Sequence, residues 1–212
     1  MKILKTSPSD LETYANCPYC WLLKAKGKRQ APTAAMLFGS RLHKAVENYH
    51  KEVYPETPEE MQKYIDEYEN LYTQDYQVVE DFWSLPLLDT DITFNMKVDL
   101  VKDDFLIEHK TSARPYSQSF VDVHRQITAY SWAWRMLYTE PEQGIKVNVF
   151  LTNPKPEDDL IQVLETERTQ DHYDEWSEWV KGVLSGIEND EFEPNEHGKY
   201  HNFPECPFYK DE

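Results

Sequence analysis

The chain has 212 residues, 39 acidic against 22 basic side chains, and a formal charge of −17 at pH 7. That length suits one domain with a sizeable core, and the lack of a bilayer-length apolar run or a signal-peptide core leads us to expect a cytoplasmic protein. Three cysteines are too few for a disulfide framework, and six glycines without a phosphate-cradling run give a nucleotide-cofactor enzyme little footing; the acidic surplus weighs against nucleic-acid binding, which rests on Lys and Arg.

In chain order, Ser7-Pro-Ser-Asp-Leu opens a helix that Ser7 or Ser9 can cap, with Asp10 and Glu12 complementing the exposed amides. Leu11, Tyr14, Ala15, Cys17 and Trp21 continue it at roughly helical spacing. Lys24, Lys26, Lys28 and Arg29 form a basic cluster that reads equally as a solvated loop or as part of a positive groove with Arg41, Lys44, Lys110, Arg114, Arg125 and Arg135. A loop at Gln30-Ala-Pro-Thr precedes a helix expected over 33–53, with Met36, Leu37, Leu42, Ala45, Val46 and Tyr49 apolar. His43 lies inside it, where a lone His is usually a surface or satisfied core residue. Gly39 weakens this helix by about 1 kcal/mol relative to Ala, which suggests the close approach of another backbone or of substrate. Pro55-Glu-Thr-Pro breaks the helix, and Thr57-Pro-Glu-Glu opens another running to about Tyr76, capped and acidic in its first turn. Its stripe of Tyr64, Ile65, Tyr68, Leu71 and Tyr72 reads as packing rather than as a platform for bases.

Val78-Val-Glu80-Asp-Phe-Trp reads as a strand, and the Val-, Leu-, Ile- and Phe-rich runs at 96–102 and 105–110 read as a hairpin turning at Asp103-Asp104. A two-residue turn sets Lys102 against Phe105, Leu100 against Ile107 and Asp99 opposite Glu108. One face then carries Val98, Leu100, Phe105, Ile107 and His109, and the other Asp99, Val101, Leu106, Glu108 and Lys110. Opposed carboxylates lie roughly 5 Å apart at Cβ and repel, a conflict that a hard divalent cation such as Mg²⁺ or Mn²⁺ resolves. Lys110 on the same face can hold a water or stabilise charge on a phosphate. Taken alone, the pattern reads better as a solvated hairpin with a cross-strand salt bridge.

The loop Thr111-Ser-Ala-Arg-Pro-Tyr can touch phosphates through Arg114 and Tyr116. A helix is expected over 117–138, stacking Gln126, Tyr130 and Trp134 on one face. Strands follow at 144–152 and 159–165, then an aromatic amphipathic helix over 167–187 with Tyr173, Trp176, Trp179, Val180 and Val183 covering the sheet. The remainder, 188–212, is irregular; folding back onto the first helix would bring Cys206 near Cys17. Acidic surplus at 52–81, 157–178 and 188–196 is expected to face water or a partner protein.

Taken together, Gly39-Ser-Arg-Leu-His43, Asp99, Ile-Glu108-His-Lys110 and Gln126-Ile-Thr-Ala-Tyr130 resemble the PD-(D/E)XK nuclease superfamily. The likeness is to its RecB-like branch of phage recombination exonucleases, AddB-type nuclease domains and CRISPR-associated RecB-like nucleases. It implies an α/β, restriction-endonuclease-like core whose mixed β-sheet is flanked by helices and preceded by a helical region. It also implies a divalent-metal-dependent deoxyribonuclease, an exonuclease acting in recombination, repair or phage DNA processing in the cytoplasm of a bacterium or of a phage's host. The matches to Asp99, Glu108 and His43 bind metal with the backbone carbonyl of His109, Lys110 serves water and phosphate, and Gln126 and Tyr130 lie near both metal and DNA. Glu80 also has a counterpart beside the metal in many relatives, although an exposed strand acid is nearly as good a reading. For a DNA nuclease, the positive groove and the 111–116 loop read from the residues would place the DNA contacts at Lys24, Lys26, Lys28, Arg29, Arg41, Arg114, Tyr116 and Arg125.

One departure is Asn95-Met-Lys, where relatives often carry a Gly before the first acid. Another is the tail. The segment Tyr14-Ala-Asn-Cys17-Pro resembles one whose Cys, in some relatives, joins three others in an iron–sulfur cluster, but Phe203 and Glu212 stand where two of those would be. No cluster is expected. Zinc on Cys17, Cys20, Cys206 and a His such as His201 is chemically allowed, with buried structural cysteines the favoured reading. The expected organisation is one nuclease domain over 1–212: a helical region at 1–76, a catalytic core at 77–187 and a tail at 188–212. The alternative is a catalytically weak or inactive nuclease fold that acts in a recombination or repair complex by binding a recombinase or single-strand-binding partner. Homo-oligomers are compatible with either reading, and a membrane is not expected.

Overall fold

The computed structural model describes residues 2–53, 57–72, 76–201 and 203–209. In chain order its elements are β1 (Lys5–Thr6), α1 (Pro8–Asn16), α2 (Pro18–Ala25), α3 (Ala34–His50), α4 (Glu59–Leu71), β2 (Val78–Pro86), β3 (Thr93–Lys102), β4 (Phe105–Ser112), α5 (Gln118–Asp122), α6 (Arg125–Leu137), β5 (Gly144–Leu151), β6 (Ile161–Thr166) and α7 (Gln170–Glu188). The fold is α/β. Its six-stranded sheet runs β1-β3-β4-β5-β6, with β2 pairing β3. The sheet is mixed: β1 joins β3 and β5 joins β4 in parallel, while β3–β4 and β5–β6 are antiparallel.

The hairpin forms in the expected register, Leu100↔Ile107, Val101↔Leu106 and Lys102↔Phe105. Asp103 and Asp104 both have positive φ, 51° and 60°, the backbone that a two-residue turn matched to strand twist requires. Gln77 braces the turn: its Nε2 donates to Asp104 Oδ1 and its Oε1 accepts from the Asp104 N–H, each at 2.9 Å.

Helix starts follow their caps, with Ser7 Oγ accepting from Asp10 N–H and Thr33 Oγ1 from Met36 N–H, both at 3.2 Å. Three expectations change. The first helix is two, because Pro18 disfavours helical backbone at the residue before it; Cys17 is extended (φ −156°, ψ 103°) and Pro18 restarts the helix. In α4 the residue at the cap is Pro58, with no side-chain cap bond, rather than Thr57, and the helix ends at Leu71. The expected break at 55–56 and the stretch 73–75 lie outside the described residues.

The helix expected over 117–138 is also two, α5 and α6. Its break is held by Arg168, whose buried guanidinium donates to Val121 O at 2.9 Å, His124 O at 3.4 Å, and the hydroxyls of Thr128 and Thr166 at 2.8 Å. The Val121 and His124 carbonyls, which also accept backbone N–H groups of the turn and of α6, thus gain a charged donor.

The chain divides into two compact units, Met1–Ala31 with Ser84–Met96 and Gln170–Glu212, and Pro32–Trp83 with Lys97–Thr169. In the first, Trp21 stacks on Phe192 at 5.8 Å, Tyr14 meets Trp21 edge-on, and Phe94 packs on Trp176. β1, not expected from the sequence, is tied there by Thr93 N–H to Leu4 O at 2.9 Å. The second unit's core joins Leu42, Val46, Met61, Tyr64, Tyr68, Leu100, Ile107 and Phe150. Of the α4 stripe, Tyr64, Ile65, Tyr68 and Tyr72 are packing and Leu71 is exposed; the buried Tyr64 donates its hydroxyl to Leu151 O at 2.9 Å. Among the described residues no helix is long and apolar enough to cross a membrane.

Candidate metal and catalytic site

Beyond Leu100↔Ile107 the next link across the hairpin is through a side chain: Asp99 Oδ2 accepts from the His109 N–H at 2.8 Å. The other oxygen, Oδ1, lies 3.3 Å from His43 Nδ1. On its other side, His43 Nδ1 is 3.6 Å from Glu80 Oε1. Glu80 sits inside β2 with φ 53°, a left-handed conformation costing a non-glycine residue on the order of 1–3 kcal/mol. Its carboxylate is buried rather than an exposed strand acid, and its second oxygen pairs with Lys97. His43, Glu80 and Asp99 together present ligand atoms within 4.8 Å of one another.

A second chain of contacts lies alongside. Glu108 Oε1 is 2.6 Å from Lys110 Nζ, which donates to Gln126 Oε1 at 2.6 Å, and Gln126 Nε2 donates to the Tyr130 hydroxyl at 2.7 Å. Asp99 and Glu108 are 8 % and 4 % exposed, so their charges meet little solvent. Burial pulls His43 down, yet the Asp99 and Glu80 carboxylates outweigh it and raise the imidazole to about 10. Burial would lift Asp99, but His43 overrides it and brings the carboxyl down to about 2. Burial and the neighbouring Asp99 charge push Glu108 up to about 7 against the pull of Lys110. Lys110 is raised in turn, because Glu108 outweighs its burial. Protonated, His43 balances the charge of this acidic pocket; deprotonated, it completes an oxygen, oxygen and imidazole set which, beside a further carboxylate, suits a divalent cation.

Behind Glu108 and Lys110, the His109 ring is buried and held neutral, brought down to about 4 by desolvation. Its Nε2 lies 3.2 Å from the Tyr68 hydroxyl and its Nδ1 3.5 Å from Asn148 Nδ2, while Tyr72 donates to Asn148 Oδ1 at 2.9 Å. This polar layer stiffens the strand that carries the acid and the lysine.

The chain matches the family model of the PD-(D/E)XK nuclease superfamily over residues 5–85 and 77–209. It belongs to that superfamily. The sequence Glu108-His109-Lys110 has the (D/E)XK spelling of the superfamily's name. PD-(D/E)XK nucleases use divalent metals, and His43, Glu80 and Asp99 form a group able to bind one. Among solved structures, the crystal structure of SSO0001 superposes with a TM-score of 0.54 at 12 % identity, covering 87 % of this chain and 77 % of that one. That likeness is one of fold. A comparison with curated proteins finds no match.

Within this PD-(D/E)XK chain, the structure gathers the residues singled out from sequence into the two clusters just described: His43, Glu80 and Asp99, and Glu108, Lys110, Gln126 and Tyr130. His109 enters through its N–H. The residues singled out for DNA are less uniform. Lys24 pairs with Asp10 at 2.6 Å, Lys28 with Glu205 at 2.8 Å and Arg41 with Glu60 at 3.1 Å. Lys26, Arg29, Arg114 and Arg125 are exposed, while Tyr116 is tied by its backbone to Gln162. The protein neighbour that Gly39 admits is a side chain rather than another backbone: a Cβ there would lie 3.2 Å from Thr111 Oγ1. Sequence reading passed over Lys97, although its place two residues before Asp99 put it on the same face of the strand.

Proposed function

We propose that this nuclease hydrolyses DNA phosphodiester bonds as an exonuclease of the RecB-like branch, serving recombination, repair or phage DNA processing as one nuclease domain over 1–212. The reading rests on one observation: a buried acid pair, an imidazole and an ammonium converge on the hairpin. His43, Glu80 and Asp99, with Glu108 and the His109 carbonyl, would hold one or two Mg²⁺ or Mn²⁺ ions. Such a cation lowers the pKa of a water it binds and stabilises the oxyanions of an in-line displacement. Lys110 holds the attacking water or a phosphate oxygen, and its bonds to Glu108 and Gln126 fix where its ammonium points. Tyr130 fixes Gln126 in turn. Arg41, Arg114, Tyr116 and Arg125, and separately Lys24, Lys26, Lys28 and Arg29, would take the DNA backbone. The branch assignment draws on Tyr14-Ala-Asn-Cys17-Pro and on the order of Gly39 to His43, Asp99, Glu108 to Lys110 and Gln126 to Tyr130.

A second reading, a nuclease fold that binds a recombinase or single-strand-binding protein without cutting, draws on the charge of −17 and the neutralised Lys24, Lys28 and Arg41. End-labelled single- and double-stranded DNA incubated with Mg²⁺, Mn²⁺ or EDTA separates the two. Metal-dependent shortening from an end supports the first; intact DNA with either metal supports the second.

A further inference from the structure

Within the first compact unit a different set of ligands comes together. Cys17 at the extended joint before α2, Cys20 in the first turn of α2, and His201 and Cys206 in the tail present ligand atoms within 4.8 Å of one another. We propose that these four residues form a closed, structural zinc site.

The geometry separates this from a disulfide and from simple packing. Cys17 Sγ and Cys206 Sγ are 4.0 Å apart, twice a disulfide bond of about 2.05 Å, whereas zinc–sulfur bonds of about 2.3 Å in a tetrahedron set two sulfurs roughly 3.8 Å apart. His201 Nδ1 lies 3.3 Å from Cys206 Sγ. Thiols pack well as small apolar groups, which would account for three buried cysteines but not for an imidazole among them. The His201 Nε2 atom is buried with no hydrogen-bond partner among the described residues. A cation ligated by the ring gives that imidazole a reason to be there.

The tail is also built to deliver the ligands. Asn16, next to Cys17, accepts the Lys199 N–H on its Oδ1 at 2.7 Å, donates to Tyr200 O, and receives Asn195 Nδ2 on its carbonyl at 3.0 Å. A Cβ on Gly198 would lie 2.6 Å from the Asn16 carbonyl oxygen, so only glycine lets the tail pass this close on its way to His201. Cys206 is held in successive turns by its N–H to Phe203 O and by Tyr209 N–H to its own carbonyl. Leu23, Phe203, Tyr19, Phe208 and Tyr209 wrap the sulfurs in apolar surface.

Three thiolates and one imidazole satisfy zinc's preference for four soft or borderline donors, and they fall short of the four thiolates usual for an iron–sulfur cluster. With all four positions filled by protein, the ion clips the tail to the N-terminal helices instead of meeting substrate.

Metal analysis of the full chain, purified without chelator from zinc-supplemented cells, tests this. One zinc per chain is expected, retained in His43→Ala and lost in Cys20→Ser and His201→Ala. Stripping the wild-type chain and adding Co²⁺ should produce intense thiolate-to-cobalt absorption in the near ultraviolet with tetrahedral d–d bands, even where a variant folds poorly. A chain with no zinc and no such cobalt spectrum overturns the proposal. So do iron with acid-labile sulfide, zinc that survives both the Cys20 and His201 changes, and zinc lost with His43→Ala.

Discussion

The two ligand clusters differ in donor chemistry and in what surrounds the donors. Around Asp99 the donors are oxygens and one imidazole: pairing with the acids raises His43 to about 10, His43 lowers Asp99 to about 2, and burial beside the Asp99 charge raises Glu108 to about 7. An ammonium, Lys110, stands beside them. Around Cys17 the donors are three sulfurs and an imidazole in an apolar jacket, with the Asn16 carbonyl and side chain fastening the tail. Buried acids with an ammonium held among them suit the handling of a phosphate; closure by soft donors suits a site that holds a fold together.

The contrast breaks most sharply on activity. Glu108→Ala and Lys110→Ala should each lower metal-dependent DNA cleavage by about 10³-fold or more with unchanged circular dichroism, and EDTA should match them in the wild type until Mg²⁺ or Mn²⁺ is restored. Full activity in either variant would remove the hairpin from the chemistry. Next in size is a structural change in the same unit: Arg168→Ala leaves the carbonyls of Val121 and His124 without their charged donor and should cost about 3 kcal/mol in urea unfolding, while Arg168→Lys restores only part of it. Gln126→Ala and Tyr130→Phe leave the acid and lysine in place and only loosen Lys110, so kcat should fall about 10-fold with KM nearly unchanged. A large rise in KM instead would make this pair a DNA contact.

The smallest effect is on the pH dependence of stability. Burial, with Lys110, Arg168 and Arg125 nearby, brings His124 down to about 4, whereas the unfolded chain binds that proton near the usual histidine value of about 6.5. The unfolded state therefore holds more protons between those two values, and stability should fall as pH drops from about 6.5 toward 4. His124→Phe should make the urea midpoint less steep across that window; an unchanged slope would place the loss elsewhere, with the similarly lowered His109 the first alternative.

Much of this was legible where one strand pair or one turn carries the information. Alternating side chains set the hairpin register, and φ-positive Asp103 and Asp104 closed it as expected. Ser7 announced its helix. What stayed hidden depends on residues distant in the chain. The α5–α6 break is invisible without Arg168, more than forty residues downstream of Val121. The aim of Glu80 depends on a backbone conformation that glutamate rarely adopts, and its partner Lys97 lies on another strand. Pro18 was a local signal that the helical spacing of Leu11 to Trp21 outweighed in reading, and the chain obeyed the proline.

The central claim is that His43, Glu80 and Asp99 share a divalent cation beside Lys110. Mn²⁺ binding followed by electron paramagnetic resonance in the wild type and in Asp99→Ala, both free of DNA, tests it most directly. Saturable binding that Asp99→Ala abolishes and Glu80→Gln weakens is the predicted result; Mn²⁺ bound equally well by wild type and Asp99→Ala would contradict it.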